Sequence, residues 1–158
     1  MNGTSENSFS PDETTTRGMI VTMLYRLENE PAASASAFND VAAGSWYADA
    51  VAWAAEQGVV NGISDTAFAP ETAITREQFA TILYRYAQSK GQGFTGAWAF
   101  QLDYPDADAV SDYAYEAMCW ATLHGIINGM GDGSLAPQGA ATRAQGATML
   151  MRFIENIA

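Results

Sequence analysis

An internal repeat limits what this chain can fold into more than any other feature of its sequence. A shift of 67 residues superposes landmarks of the middle of the chain on the C-terminal part: Trp53 on Trp120, Asn61-Gly62 on Asn128-Gly129, Pro70 on Pro137 and Thr75-Arg76 on Thr142-Arg143. A shift of 59 residues superposes N-terminal landmarks on the middle: Asn2-Gly3 on Asn61-Gly62, Phe9 on Phe68 and Thr16-Arg17 on Thr75-Arg76. Repeated units of this kind bury their core against one another, so the pattern predicts a repeat architecture.

The repeats divide the chain into two full motifs and the second half of a first one. We assign residues 1–30 to the partial first motif, 38–90 to the second, 91–103 to an insertion and 104–158 to the third. The length of 158 residues suits a single domain. The chain starts where the leading helix of a first motif would already have ended, and Met1–Phe9 lacks the basic and apolar segments of a signal peptide. We therefore expect a shortened N-terminus.

Each full motif is predicted to form a helix, a loop and a second helix. In the second motif, Ser45 is expected to cap a helix over Trp46–Gln57, which Gly58 ends, and Thr75 to cap the next helix. The second helices carry equivalent apolar stripes: Ile20, Met23, Leu24 and Leu27; Phe79, Ile82, Leu83 and Tyr86; Met149, Leu150 and Phe153. Three equivalent helices with equivalent stripes predict an all-α, pseudo-threefold bundle with helix-loop-helix prongs.

Composition and charge exclude several classes of function. Eighteen acidic residues against seven basic ones give a net charge of −11, which disfavours binding to nucleic acid. The longest apolar run, Ala50–Ala55, is too short to span a membrane. A single cysteine, Cys119, and a single histidine, His124, argue against a disulfide framework and a metal cluster. Gly131-Asp132-Gly133 lacks the carboxylates of a calcium loop. No metal or cofactor is predicted.

The six arginines form three pairs, and both members of a pair are nine residues apart. The first of each pair follows a threonine: Thr16-Arg17, Thr75-Arg76 and Thr142-Arg143. A capped helix N-terminus attracts anions through its free amides and dipole, and an arginine fork binds carboxylates with two parallel bonds. We therefore expect three anion-binding positions. The open alternative is that these arginines pair with Asp40 or Asp106 and tie the repeats together.

The second arginine of each pair points away from the first. Nine residues correspond to about two and a half helical turns, so the two side chains lie on opposite faces of their helix. We assign the second arginines, Arg26, Arg85 and Arg152, to structural salt bridges or to the solvated face.

The motifs, in this order, resemble those of the S-layer homology (SLH) family of bacterial cell-surface proteins. The second repeat matches the family pattern with Phe38-Asn39-Asp40, Trp46, Gly58-Val59-Val60-Asn61-Gly62, Phe68-Ala69-Pro70 and Thr75-Arg76-Glu77-Gln78. The third matches it with Tyr104-Pro105-Asp106, Tyr113, Gly125-Ile126-Ile127-Asn128-Gly129, Leu135-Ala136-Pro137 and Thr142-Arg143-Ala144-Gln145. Two departures stand out: the Glu of the Thr-Arg-Ala-Glu motif is replaced by Met19, Gln78 and Gln145, and the first motif lacks its leading helix.

The resemblance implies a fold, a function and a location. SLH motifs usually form a three-pronged pseudo-trimer that anchors exported proteins, without a covalent bond, to secondary cell-wall polysaccharide. This polymer is often pyruvylated, and the envelopes are of the Gram-positive type. The resemblance therefore predicts an extracellular, non-catalytic anchoring module whose partner is an acidic wall polysaccharide. The implied binding residues are Arg17, Arg76 and Arg143 with their caps Thr16, Thr75 and Thr142, and the aromatic residues Trp46 and Tyr113 as surfaces for sugars.

Other interpretations of these residues stay open. Trp46 and Tyr113 suit either a sugar-stacking surface or the core, and Trp98 either a surface contact or a lid over the bundle. Trp53 and Trp120, in the middle of predicted helices, indicate core residues, as does Cys119. The alternative function is a protein-interaction or self-associating module that uses the surface left open by the missing first helix. No nucleophile–base pair or phosphate loop recurs at the repeated positions, so an enzyme is not predicted.

Overall fold

The computed structural model describes residues 1–157, and the chain within this range is helical. Its two short 3-10 helices are Ala107–Ala109 and Asp112–Ala114. Its five α-helices are α1 (Arg17–Leu27), α2 (Ala48–Glu56), α3 (Arg76–Ser89), α4 (Tyr115–Leu123) and α5 (Arg143–Asn156). Extended pairing over the described range is limited to isolated β-bridges. The predicted all-α class is confirmed.

A ring of three backbone hydrogen bonds marks the pseudo-threefold axis. The amide of Thr15 donates to the carbonyl of Ala141 (2.8 Å), Ala141 to Ile74 (2.9 Å) and Ile74 to Thr15 (2.9 Å). These three residues occupy the same position in their motifs, one before the helix cap. The start of each second helix is thereby tied to the starts of the other two, so α1, α3 and α5 meet at one point.

The core next to this axis shows why one repeat carries a glycine inside a helix. Ile20, Phe79 and Gly146 are equivalent in the three repeats, and the first two are completely buried. A Cβ atom on Gly146 would lie 2.9 Å from the Thr15 hydroxyl and 3.2 Å from the Phe79 ring. The phenylalanine of one repeat therefore takes up the space that the glycine of another leaves free.

The three threonine caps form as predicted. Thr16, Thr75 and Thr142 each accept a hydrogen bond from the amide three residues further on. In α3 and α5 the side chains of Gln78 and Gln145 bond back to the threonine amides and complete a capping box. Glutamine thus completes the capping box at the position where the family pattern has glutamate.

The start predicted for α2 is wrong by two residues. The helix begins at Ala48, not at Trp46, and no side chain caps it. The hydroxyl of Ser45 donates to the carbonyl of Ala42 (2.8 Å) and stabilises the preceding turn. Trp46 therefore stands in a turn before the helix, with its side chain 55% exposed.

One continuous hydrophobic core holds the repeats together. Trp53, Trp120 and Cys119 lie in it, as predicted. Trp98, in the insertion over residues 91–103, stacks on Phe94 with ring centroids 4.4 Å apart and packs against the core. The insertion therefore covers part of the bundle.

The first helices of the second and third motifs pack against second helices: α2 lies on α1, and α4 lies on α3. Over the described range, α5 has no helix packed on it in the same way. Its Met151 and Ile154 are exposed, whereas their α3 counterparts Tyr84 and Ala87 are buried. None of the helices within residues 1–157 has the length and apolar character needed to cross a membrane.

Candidate functional site

The first arginine of each pair reaches into the loop of the next motif. Arg17 donates from Nε to the carbonyl of Phe68 (2.8 Å) and from Nη2 to that of Asn61 (3.0 Å). The same two bonds recur from Arg76 to Leu135 (2.9 Å) and Asn128 (2.8 Å), and from Arg143 to Phe9 (2.8 Å) and Asn2 (2.6 Å). The three arginines thus connect first motif to second, second to third and third to first in a closed ring.

These three arginines are buried, and the dipoles of backbone carbonyls stabilise their charge. Their exposed fractions are 8% for Arg17, 5% for Arg76 and 3% for Arg143. Within residues 1–157 none of them lies in an ion pair. Burial lowers the pKa of Arg17 and Arg76 from its ordinary value, yet a guanidinium stays protonated in proteins. These arginines tie the repeats together, as the alternative interpretation predicted. They do so through backbone carbonyl groups, whereas that interpretation expected the carboxylates of Asp40 or Asp106.

The helix N-termini are closed by the same loops. The amides of Arg17 and Gly18 donate to the carbonyls of Thr72 (3.0 Å) and Pro70 (2.8 Å). The equivalent bonds in the other motifs run from Arg76 to Gly139, Glu77 to Pro137, Arg143 to Glu13 and Ala144 to Pro11. The expectation that these amides are open to an acidic ligand is therefore wrong, because carbonyl groups of the neighbouring motif already occupy them.

Asp40 and Asp106 hold the loops that receive the arginines. The carboxylate of Asp106 accepts from the amides of Leu135 (2.8 Å) and Ala136 (2.8 Å). Asp40 does the same for Phe68 and Ala69 in the second motif. The bond from Leu135, with that from Ala136, lowers the pKa of Asp106 below its ordinary value.

In each of these two loops, one of the bound amides belongs to a strained residue. Ala69 and Ala136 have left-handed φ angles of 58° and 49°, and Ser10 in the first motif has 53° at the equivalent position. An alanine costs about 1 kcal/mol or more in this conformation. The aspartates therefore stabilise a backbone conformation that brings the loop carbonyls to the arginines.

Three grooves lie between neighbouring motifs, one for each buried arginine. Groove 1, of about 380 Å³, is bounded by Arg17, residues 60–63, one face of α3 and Tyr113. Groove 2, of about 430 Å³, is bounded by Arg143, residues 1–4, one face of α1 and Trp46. Groove 3, of about 370 Å³, is bounded by Arg76, residues 126–131 and one face of α5. All three follow the pseudo-threefold symmetry.

The second arginines line these grooves too, which the sequence interpretation missed. Arg85 lies in groove 1 with Arg17, Arg26 in groove 2 with Arg143, and Arg152 in groove 3 with Arg76. Of these three second arginines, Arg26 alone forms an ion pair within residues 1–157, at 3.7 Å from Glu30, and both side chains are exposed. The nine-residue spacing could have indicated these positions, because it places the second arginine on the opposite face of its helix, and that face forms the wall of the next groove.

The grooves concentrate positive charge in an acidic molecule. All six arginines line a groove, two in each. Of the eighteen aspartates and glutamates, none lines any of the three. Guanidinium groups in a groove whose lining holds no carboxylate can bind an anion brought by a ligand.

Two grooves have an exposed aromatic side chain at their edge. Tyr113 stands at groove 1 and Trp46 at groove 2, and they are 56% and 55% exposed. Within the described residues, groove 3 has no aromatic side chain in its lining. No group of three or more His, Cys, Asp or Glu side chains that could hold a metal ion occurs in residues 1–157.

The fold and the grooves define a repeat module of pseudo-threefold symmetry that carries ligand-sized grooves between its motifs. The profile of the S-layer homology domain matches residues 37–80 and 103–147. The chain belongs to the S-layer homology family, which confirms the resemblance.

Relatives share similarity with this chain over almost its whole length. It is 32% identical over 158 residues to the surface-layer 125 kDa protein of Lysinibacillus sphaericus, covering 98% of this chain and 13% of that protein. It is 32% identical over 158 residues to an amylopullulanase of Thermoanaerobacterium thermosulfurigenes, covering 97% and 8%. It is 26% identical over 152 residues to a cellulosome-anchoring protein of Acetivibrio thermocellus, covering 93% and 33%. The chain spans a third or less of these relatives, and the family supports an anchoring role at the cell wall.

Proposed function

We propose that this chain is a non-catalytic anchoring module that holds a larger protein to an acidic polysaccharide of the bacterial cell wall. The partner is a secondary cell-wall polymer with carboxylate groups, such as pyruvyl ketals on its sugars. The location is the outside of a cell with a Gram-positive-type envelope. The names of the surface-layer and cellulosome-anchoring relatives support this location.

The observation that carries the proposal is the distribution of charge. Six of the seven basic residues line three equivalent grooves, and all eighteen acidic residues lie elsewhere. A net charge of −11 repels a polyanion in general. A ligand with spaced acidic groups would therefore bind where those groups enter the grooves, and hardly anywhere else.

Each predicted binding residue has a part in this proposal. Arg17, Arg76 and Arg143 keep a buried positive charge at the groove wall, and Thr16, Thr75 and Thr142 fix the helix starts that carry them. Tyr113 and Trp46 offer ring faces on which a sugar can stack. Charge and stacking together select an acidic sugar over a neutral one.

Three sites on one rigid body suit a repetitive polymer. Once one groove is occupied, the next acidic sugar along the chain is held near the other grooves. Such multivalent binding can exceed the single-site affinity by about 10²-fold or more. Modest affinity at each groove is therefore enough for firm attachment.

Sedimentation with cell-wall sacculi tests the proposal. The chain is expected to pellet with sacculi that retain their pyruvylated polymer and to stay in the supernatant with sacculi stripped of it. A matched sample of sacculi that keep the polymer but lack the pyruvyl groups separates recognition of the acid from recognition of the sugar. Equal pelleting with all three preparations, or with none, would contradict the proposal.

A second candidate function, self-association, is favoured by the apolar face of α5. Ala147 and Leu150 are half-buried on this face, and Met151 and Ile154 are 49% and 41% exposed. We propose that a second copy of the chain covers it through its own α5. An antiparallel pair would place the small Ala144 and Ala147 of one helix against the bulky residues of the other, so the face is self-complementary.

Light scattering over a range of concentrations tests this second candidate. The parent chain is expected to approach the mass of a dimer as concentration rises, and a Met151→Gln, Ile154→Gln variant to keep the mass of one chain. Leu123→Gln is a matched control, because Leu123 is as exposed but lies on α4. A parent that stays monomeric at about millimolar concentration would remove this candidate.

A further inference from the structure

Although the three grooves share a plan, their second arginines differ in what they contact. Arg26 in groove 2 pairs with Glu30. Arg152 in groove 3 donates from Nη1 to the side-chain oxygen of Asn128 at 3.1 Å, in the amide orientation that gives both the oxygen and the nitrogen of Asn128 a hydrogen-bond partner. Arg85 in groove 1 has neither an ion pair nor a hydrogen bond from its guanidinium to any residue in 1–157. Its donors are free for a ligand.

Arg85 also lies close to a second positive charge. It shares groove 1 with Arg17, whose two inner donors are already bonded to backbone carbonyls. Burial is the largest cause that lowers the pKa of Arg17, and the charge of Arg85 also lowers it, whereas Tyr113 and Asp40 act in the opposite direction. Two guanidinium groups that repel each other in a half-enclosed groove are stabilised by an anion that binds between them or beside them.

Groove 1 is also the groove whose aromatic residue is locked in place. The Tyr113 hydroxyl donates to Oε1 of Glu77 at 3.1 Å. The same carboxylate accepts from the amide of Ser111 (3.0 Å), the Ser111 hydroxyl (2.8 Å) and Nε2 of Gln138 (2.9 Å). Glu77 is only 2% exposed. With its hydroxyl turned to Glu77, Tyr113 keeps one ring orientation.

The hydrogen bond that holds Tyr113 on Glu77 has no counterpart in the other motifs. Gly18 and Ala144 occupy the positions equivalent to Glu77, and neither has a side chain that could bond. Trp46 in groove 2 rests edge-on against Tyr47, with ring centroids 5.0 Å apart, and its indole N–H donates to no residue in the described part of the chain. Burial, followed by the charge of Glu77, raises the pKa of Tyr113 to about 12, so its hydroxyl stays a donor at physiological pH.

We propose that groove 1 is the principal ligand site of the chain, in which Arg85 binds the acidic group, Tyr113 stacks on the sugar and Glu77 is the positioning residue of Tyr113. The proposal rests on the anchoring function proposed above and adds a ranking of the three grooves. A preorganised ring and a free guanidinium lower the cost of ordering side chains on binding. Groove 1 therefore binds a single acidic sugar more tightly than grooves 2 and 3.

The pseudo-symmetry of the chain supplies matched controls for the test. Calorimetric titration with a disaccharide that bears one pyruvyl ketal is expected to show one dominant site per chain. Arg85→Gln is expected to weaken binding at least tenfold, because it removes a charge-assisted bond to the ligand. Arg26→Gln and Arg152→Gln, which change the equivalent positions, are expected to weaken it less than about threefold.

The outcomes separate this inference from the proposed function. If Arg26→Gln or Arg152→Gln weakens binding as much as Arg85→Gln, or if Arg85→Gln has no effect, the ranking of the grooves is wrong while anchoring stands. If the parent chain does not bind the disaccharide and does not pellet with the sacculi, both proposals are overturned.

A double-mutant cycle tests the role of Glu77. Tyr113→Phe keeps the ring and removes the hydroxyl, and we expect it to weaken binding about three- to tenfold. Glu77→Ala is expected to weaken binding to a similar degree, and the double variant no further, since both remove the same lock. Additive losses in affinity, or an unchanged affinity of Tyr113→Phe, would overturn the positioning role. A merely structural role of Glu77 would not produce this coupling in affinity.

Discussion

Replacement of Arg76 by alanine is expected to lower the free energy of unfolding by about 3 kcal/mol. The guanidinium donates to the carbonyls of Leu135 and Asn128 from a position that is only 5% exposed. A hydrogen bond from a charged donor contributes about 1.5–3 kcal/mol, and its loss leaves two carbonyls without their partner. The second and third motifs are joined at this point, so the loss weakens the ring of motifs.

Urea unfolding followed by far-UV circular dichroism measures this effect, and Arg85→Ala is the matched control. Both substitutions remove an arginine from a second helix, but the Arg85 side chain is half-buried and without such bonds, so its replacement is expected to cost less than about 1 kcal/mol. Arg76→Lys is expected to fall between the two, since lysine keeps the charge but lacks the planar fork. Equal stabilities of the Arg76→Ala and Arg85→Ala variants would contradict the structural role of Arg76.

The second large effect is expected at Asp106. Each of the two carboxylate oxygens of Asp106 accepts a hydrogen bond from a backbone amide. Asp106→Asn replaces one of these oxygens by an NH₂ group, which can only donate. We expect a loss of about 2 kcal/mol at pH 7, because one bond to a charged acceptor disappears next to the strained Ala136. Chemical unfolding measures it, with Asp108→Asn as the control, since Asp108 is exposed.

The pH dependence of this loss follows from the pKa of Asp106, which is lower in the folded than in the unfolded chain. The stabilisation is complete above the unfolded pKa of about 3.9 and is lost as pH falls through the folded value. The stability difference between parent and Asp106→Asn is therefore expected to shrink as the pH is lowered from about 5 to about 2. A difference that stays constant over this range would show that the charge of Asp106 does not stabilise the loop.

The helical repeat was predictable from the sequence because its determinants are local. The threonine caps, the glycines that end the first helices and the apolar stripes act within one motif, so each could be interpreted without knowledge of the others. Gly58 and Gly125 indeed have left-handed φ angles of 69° and 66°. The repetition of these signals in register then predicted the pseudo-threefold arrangement. Ser45 failed as a cap because its hydroxyl bonds backward to Ala42.

The partners of the buried arginines were not predictable in this way. They are backbone carbonyls, which every residue has, so no side-chain pattern in the sequence marks Phe68 or Asn61 as acceptors for Arg17. The rule that a helix N-terminus attracts an acceptor holds, but the acceptors are carbonyls of Pro70 and Thr72 from the next motif.

The second arginines show how a correct local argument can lead to an incomplete assignment. Their position on the opposite helix face follows from nine-residue spacing. In an isolated helix this face would be solvated, and Arg26 with its ion pair to Glu30 comes close to that expectation. In a closed ring of three motifs, the same helix face lines the next groove. In groove 1 this places Arg85 in the same lining as Arg17.

A crystal structure of the chain with a pyruvylated disaccharide tests most directly whether arginine-lined grooves bind acidic glycans. We expect density for the sugar in groove 1, with its carboxylate within about 3 Å of the Arg85 guanidinium and a pyranose face on the Tyr113 ring. Weaker density in grooves 2 and 3 would agree with the ranking of the sites. A disaccharide bound outside all three grooves, or a carboxylate that contacts none of the six arginines, would contradict the account.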